Sequence, residues 1–413
     1  MAAASAGHPQ EPTFSIDAAV REALQSNRDL RAAYFAISQA RARLLQAGLW
    51  PNPALDLAGA RDVLFANEGE YTLSIGFEQR FPVAGRLARA RDLARVDVAL
   101  ALAEVQDAVR RLIGAVQTAF YELLILQAQV AIRDDLIGID RGLVDVSEAR
   151  AKLAEVSELD VNTARLELQR LELERQVLTA QAAAKTTELN RLLGHQPDAR
   201  LSPTGEIRPE PPAALPALRA AALRRRPDLQ QAALTADRAR AELRLAKAER
   251  WEDWVVGFGY DRDRQVVTGA PSQSADQLLG LRLTVPLPVW NRNQGRIAEA
   301  GAREGQATNT VAALELTILS EIESAHQRVA DFGRVADSYH ADVTPLSDRT
   351  VQIAQDAYRQ GLANVTQVVQ VQRQQTEVRV AYLEALAQER RAATDLEVAA
   401  ATSPFLDEAG GAR

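Results

Sequence analysis

Four histidines, His8, His195, His326 and His340, are the chain's only imidazoles, and none stands at HxxxH spacing or in a His–carboxylate cluster of the kind that holds a metal. Cysteine is absent, which removes thiolate sites and disulfides together. The single methionine, Met1, offers no thioether relay for a soft ion. No Gly-rich phosphate loop, nucleophile elbow or pair of catalytic carboxylates stands out, so the reading is of a non-enzyme with no catalytic, cofactor or metal residues. The polar groups that could act on a passing solute lie just beyond two helical turns: Glu155, Glu158 and Asp160 after one, Gln367 and Gln370 after the other. Side chains so placed can line or gate a tunnel, because a pore selects through rings of side chains. Their other reading is a solvated helix face. The same turns, Arg150 to Asp160 and Arg359 to Gln370, expose Leu153, Val156, Leu362 and Val365 where a simple turn is polar. Together with Arg150, Ser157, Arg359 and Thr366 they form two tips that either staple their own hairpins or dock a partner.

The turns correspond because the chain is duplicated. Ala23-Leu24 through Asp29-Leu30 recur as Ala222-Leu223 through Asp228-Leu229, and Gly85-Arg86-Leu87-Ala88 returns as Gly295-Arg296-Ile297-Ala298. Arg150, Leu153, Ala154, Val156 and Ser157 match Arg359, Leu362, Ala363, Val365 and Thr366. The first repeat covers 1–200 and the second 217–413, joined by a Pro-rich linker at 201–216. In the first, the pattern predicts a helix over 15–49, strands over 54–63 and 70–81, a long helix over 86–149 and a helix over 156–194. In the second it predicts a helix over 217–250, strands over 253–262 and 278–287, a long helix over 295–359 and a helix over 364–402. Proline draws these limits: none occurs from Val83 to Gln196 and only Pro345 from Val289 to Ser403, and an interior proline costs a helix ~3 kcal/mol. An arm from Arg86 to Glu148 is on the order of 95 Å long at 1.5 Å per residue.

The strands alternate. Tyr71, Leu73, Ile75, Phe77, Gln79 and Phe81 interleave with Thr72, Ser74, Gly76, Glu78 and Arg80, and Leu279, Leu281 and Leu283 with Gly280 and Arg282. One face is greasy and the other polar or small, over the ~9 to 11 residues that a tilted strand needs to cross a bilayer. Packing on a helix is the other use of such a face, yet strands so short have nothing of matching size among arms so long. All four tryptophans, Trp50, Trp251, Trp254 and Trp290, fall at the helix-side ends of the strands, where an interfacial belt sits. Four strands cannot close a barrel, and an open edge in lipid leaves backbone groups unpaired. The chain must therefore oligomerise; eight strands leave almost no lumen, whereas twelve leave a passage.

Composition agrees. Aromatics are only 5% of 413 residues, as in long helices packed along narrow seams. A net charge of -7 and a pI near 5.4 give no basic footprint for nucleic acid. No run of 18 apolar residues occurs, which argues against an ordinary transmembrane helix. Met1 to Gly7 lacks the charged and apolar regions of a signal peptide, so the chain reads as a mature form, and without cysteine it carries no lipid there.

Several stretches carry a family resemblance across nearly the whole chain. Ala47-Gly48-Leu49-Trp50-Pro51-Asn52-Pro53-Ala54-Leu55 enters the first strand, Glu78-Gln79-Arg80-Phe81-Pro82 leaves the second, and Arg226-Pro227-Asp228-Leu229 opens the second half. In register with the duplication, this set resembles the TolC-like outer-membrane efflux channels. Pro286-Leu287-Pro288-Val289-Trp290-Asn291-Arg292-Asn293-Gln294-Gly295-Arg296 looks like the cobalt-zinc-cadmium and nickel-cobalt resistance branch. The resemblance implies a mainly α fold with a small β part: antiparallel coiled coils forming a periplasmic α-barrel, and strands contributing to a 12-stranded transmembrane β-barrel in a homotrimer. It also implies docking on a periplasmic adaptor fed by a proton-driven inner-membrane pump of the resistance-nodulation-division type, with outer-membrane lipid around the barrel. Relatives often close the tunnel with aspartate rings on the second hairpin. Here Gln367 and Gln370 hold those positions, so an acidic ring falls to Glu155 or Glu158. Besides metal efflux, the sequence leaves open a channel for organic solutes or protein secretion, and a soluble coiled-coil scaffold.

Overall fold

The computed structural model describes residues 13–63, 69–209, 211–266, 269, 271, 273–406 and 408; the Met1 to Gly7 stretch and His8 lie outside them. In chain order the elements are β1 (Thr13–Phe14), α1 (Ile16–Ser26), α2 (Arg28–Ala47), β2 (Ala54–Arg61), β3 (Tyr71–Phe81), α3 (Arg86–Lys152), α4 (Glu158–Leu193), β4 (Ser202–Pro203), α5 (Leu215–Arg225), α6 (Pro227–Ala248), β5 (Trp254–Arg264), β6 (Asp276–Thr284), α7 (Gln294–Ser338), α8 (Thr344–Arg359) and α9 (Val365–Ala400). A π-helical segment, Tyr339–Val343, joins α7 to α8.

Two compact units result, and neither is one repeat. The first comprises Met1–Ala33, Val105–Pro227 and Glu315–Arg413; the second comprises Tyr34–Glu104 and Asp228–Leu314. Each gathers corresponding stretches of both halves.

The opening helix of each repeat, expected as one, is two. Ser15 caps α1 by accepting from the Ala18 N–H. The break at Asn27 is built by its side chain, which accepts from the Leu30 N–H at 2.8 Å and donates to the Leu192 carbonyl, also at 2.8 Å. One buried amide therefore starts α2 and satisfies a carbonyl at the end of α4. In the second repeat Pro227 opens α6, where its missing N–H costs nothing. Arg226 there donates to the Ala399 carbonyl at the end of α9 and to Glu321 at 2.5 Å. The helix expected over 295–359 is likewise interrupted. Pro345 cannot donate to Ala341 and its ring crowds that carbonyl, and the π segment absorbs the mismatch.

α3 runs 67 residues, about 100 Å at 1.5 Å per residue. One 18-residue window in it reaches a mean hydropathy of 1.3 with at most two charged residues, long and apolar enough to cross a membrane. This corrects the expectation drawn from run length alone. A third of that window is buried, and Ile113, Val116, Phe120 and Leu123 of the same helix are fully buried in the first unit. In the second unit the buried helix positions are mostly alanine, Ala40, Ala94, Ala101, Ala239, Ala246 and Ala300 among them. Small side chains let the helices approach closely, and ion pairs such as Arg238–Asp97 at 2.7 Å flank the seams.

The second unit's sheet is antiparallel in the order β2-β3-β5-β6. Pairing of β3 with β5 joins the hairpins of the two repeats, and β2 and β6 remain as edges. β6 stops at Thr284, short of the expected 287, because Pro286 and Pro288 lack donors for the ladder. A short parallel pair, β1 with β4, lies in the first unit.

Candidate functional site

The sheet separates its side chains by chemistry. Register aligns Leu55, Phe77, Phe258 and Leu281 in one row, and Leu57, Ile75, Tyr260 and Leu279 in the next on the same face. Every leucine and phenylalanine in these rows is exposed, Leu279 to 85%. No helix packs extensively on the strands among the described residues. The opposite face carries a bare row, Gly76, Gly259 and Gly280, beside Asp56. There Arg282 approaches Glu78 at 3.8 Å across Gly257, where a Cβ would meet the Glu78 Cγ at 3.4 Å. Thr72 donates to Asp263 on the same face at 2.8 Å.

Aromatic rings bound the apolar face. At the helix-attached end Phe81 pairs in register with Trp254, and Trp50 meets Phe81 edge-on at 5.9 Å. Trp251 and Trp290 lie just outside the strands at the same end, both exposed. Tyr71 stands at the other end of β3. Ten steps of ~3.3 Å separate Tyr71 from Phe81, about 33 Å, which a tilt of roughly 40° reduces to about 25 Å of height.

The tips, in the first unit, differ from expectation in register. α3 ends with Ala154 in the left-handed conformation and α8 with Gly361 in the same role; the Glu155 N–H bonds the Arg150 carbonyl at 3.0 Å and the Leu362 N–H the Ala357 carbonyl at 2.8 Å. Ser157 with Asp160 and Asn364 with Gln367 then form matching capping boxes on α4 and α9. Ser157 thus corresponds to Asn364, not to Thr366, two residues away from the match read in the sequence. Val365, expected to be exposed, opens α9 at 1% exposure and packs with Leu143, Val144, Tyr358 and Val368. Val156 is half-buried. Leu153 and Leu362 are exposed to 71% and 78%, and Thr366 and Arg359 are exposed as well.

Arg150 is turned inward across the two hairpins. Its guanidinium donates to the Tyr358 and Arg359 carbonyls at 3.3 Å, closing the end of α8, and lies 5.0 Å from the Tyr358 ring centre. Ser147 and the Tyr358 hydroxyl share a hydrogen bond of 3.2 Å beneath it. Glu155 is exposed and 3.8 Å from Arg150. Arg150, Val156, Ser157 and Val365 line a cleft of about 600 Å³ with Tyr358 and Asn364. Of the four gate candidates, Glu158 and Gln370 stand exposed, Glu155 leans on Arg150, and the Gln367 side chain accepts from the Asn364 N–H at 3.1 Å. Asp160 is likewise held by its cap.

A buried polar cluster was not anticipated. Asp140 of α3, Glu167 of α4 and Gln372 of α9 are 3%, 4% and 5% exposed, and the exposed Arg373 of α9 reaches in over them. Arg373 donates to Glu167 at 2.9 Å through Nε, while Asp140 Oδ1 and Gln372 Oε1 are buried without a hydrogen-bond partner. Burial first, then the Glu167 charge, push the Asp140 carboxyl up to about 6, against the opposing pull of Gln372 and Arg373. The signal was available: Leu136, Asp140, Leu143 and Ser147 follow a 4-3-4 spacing, so Asp140 sits on an apolar seam. Among the described histidines, His195 pairs with Glu22 at 2.6 Å and His340 stacks on Tyr382.

A family model described as outer membrane efflux protein matches residues 19–195 and again 218–402. The cobalt-zinc-cadmium resistance protein CzcC of Cupriavidus metallidurans is 23% identical over 387 residues, 93% of this chain and 89% of that protein. Among solved structures, the CmeC outer membrane channel of Campylobacter jejuni superposes with a TM-score of 0.76 at 14% identity, covering 99% of this chain and 94% of that one. CusC, solved for its folding and transmembrane channel formation, gives 0.74 at 18% identity, covering 93% and 91%.

Proposed function

The chain belongs to the outer membrane efflux protein family, and from that premise we propose that it is the exit duct of a tripartite, proton-driven system through which divalent heavy-metal cations leave the cell. It is a channel component and not an enzyme. The observation that carries the membrane reading is the uncovered apolar face of the β2-β3-β5-β6 sheet, bounded by an aromatic row at the helix-attached end and by Tyr71 at the other, at bilayer spacing. Such a face in water exposes far more contiguous apolar surface than a monomer tolerates; in lipid it is the stable side. Its edges β2 and β6 need partners there, and three copies supply twelve strands. Trp50, Trp251, Trp254 and Trp290 then form the belt at the periplasmic interface.

The exposed Leu153 and Leu362 at the tips support docking of a periplasmic adaptor, with an inner-membrane pump supplying the energy to the duct. Glu155 and Glu158 are the acidic groups available to line the opening, opposite neutral Gln367 and Gln370. The metal substrate is supported by the resistance protein that the chain resembles and by the Pro286 to Arg296 stretch. Cell fractionation and metal content test both parts. Cells lacking the chain should accumulate cobalt, zinc or cadmium and recover on complementation, with the protein in the outer membrane. Unchanged metal content together with retained organic dye, or an unsecreted protein, assigns the duct to another cargo.

A further inference from the structure

At the end of the sheet away from its helix attachments, the apolar face becomes basic. Asp261-Arg262-Asp263-Arg264 alternates in sign with the two-residue period of β5, so both arginines join the face of Phe258 and Tyr260 while both aspartates take the other. Arg61 of β2 joins them: it lies opposite Tyr71, which lies opposite Arg264, and Leu73 lies opposite Arg262. At ~4.8 Å between strands, Arg61 and Arg264 stand about 10 Å apart across the Tyr71 ring. Among the described residues none of the three arginines forms an ion pair, and the Arg264 Nε is buried with no hydrogen-bond partner. This contrasts with Arg282 on the opposite face, which has Glu78.

Three guanidinium groups of like charge at the border of an apolar band, without a carboxylate partner among the described residues, are complementary to an anion that arrives from outside the chain. We propose that Arg61, Arg262 and Arg264 bind the phosphate groups of a phosphorylated glycolipid in the outer leaflet. The proposal rests on the reading that this face lies in the outer membrane with its loop end outward. Guanidinium forks match phosphate oxygens in pairs, and at a lipid boundary the bonds are less screened than in water. The ligand is lipid-borne rather than free, because the arginines continue directly into Leu73, Ile75 and Tyr260, a surface that takes acyl chains and offers inorganic phosphate nothing.

The test compares the full-length protein with an Arg61→Gln, Arg262→Gln, Arg264→Gln variant and, as a control on the other face, Arg80→Gln, Arg282→Gln. Each is purified from outer membranes, and bound bis-phosphorylated lipid A is measured by mass spectrometry, then by titration in mixed micelles. The triple variant should bind about tenfold less or weaker, with the control unchanged and both still inserted as heat-stable assemblies. Undiminished lipid A on the triple variant overturns the site, as does equal binding of dephosphorylated lipid A. Full displacement by millimolar inorganic phosphate assigns a free-anion site and overturns the lipid assignment. A wild-type protein absent from the membrane fraction sinks the lipid-facing reading itself, and this site with it.

Discussion

Asp140 is a carboxyl that burial holds well above the ordinary range. Its carboxyl, near 3.9 in an unfolded chain, is pushed up to about 6 in the α3–α4–α9 seam, chiefly by burial. The folded state therefore holds this proton more tightly than the unfolded state does. Its contribution to stability is complete below about pH 4 and is lost as pH rises through 6. Groups facing it from α4 and α9 are Glu167, Gln372 and Arg373, and of these only Glu167 adds to the upward shift. Asp140→Asn keeps the shape and discards the charge, so it should stabilise the protein at pH 7 by about 1 to 3 kcal/mol and flatten the decline between about pH 4 and 6. Denaturant midpoints across that range give the answer; parallel curves for wild type and variant would falsify the assignment. The seam position of Asp140 was legible in its heptad spacing. Its partners were not, because Glu167 and Arg373 lie on separate helices and only packing brings them together.

Among the elements, the strands were the most legible and the turns the least. Period-two alternation fixes a strand's faces without knowledge of its neighbours, so the apolar rows through Ile75 and Leu283 could be read directly. Exposure of both in the folded chain agrees with lipid contact. Ile75→Arg, near mid-bilayer depth, should lower barrel stability by about 2 to 4 kcal/mol, and Leu283→Arg, level with Gln79 near the aromatic border, by less. Heat-stable assemblies at wild-type yield from both variants would mean the faces are reversed. The turns depended on a repeat match that slipped by two residues, because capping chemistry, with Ser157 and Asp160 in one half and Asn364 and Gln367 in the other, is conserved in role and not in residue type. That slip separates two outcomes. Leu153→Glu with Leu362→Glu alters only exposed side chains, so assembly should persist while cross-linking to the adaptor is lost; retained cross-linking restores the staple reading. Val365→Glu instead buries a charge among Leu143, Val144 and Tyr358, and should cost several kcal/mol of hairpin stability.

For the molecule as a whole, the decisive features are the two edges left by the order β2-β3-β5-β6. One chain brings four strands, a closed barrel in lipid can have no edge, and so β2 of one copy must pair with β6 of the next. The duplication sharpens this: β3 with β5 already shows how a hairpin of one repeat joins a hairpin of the other, and the joint between copies repeats that junction in reverse. The number of copies is set by lumen size. Two copies give an eight-stranded barrel filled by side chains, whereas three give a passage whose inner wall is widened where Gly76, Gly259 and Gly280 present bare backbone. Because the native chain has no cysteine, introduced pairs report without background. Ala58→Cys in β2, combined in turn with Asp276→Cys, Leu278→Cys or Gly280→Cys in β6, places both thiols on the inner face and scans the unknown register between copies. At least one pair should oxidise to a ladder of monomer, dimer and trimer on a denaturing gel and stop there. A ladder ending at two would give a closed plug rather than a duct, and one running past three would require a wider barrel than twelve strands provide.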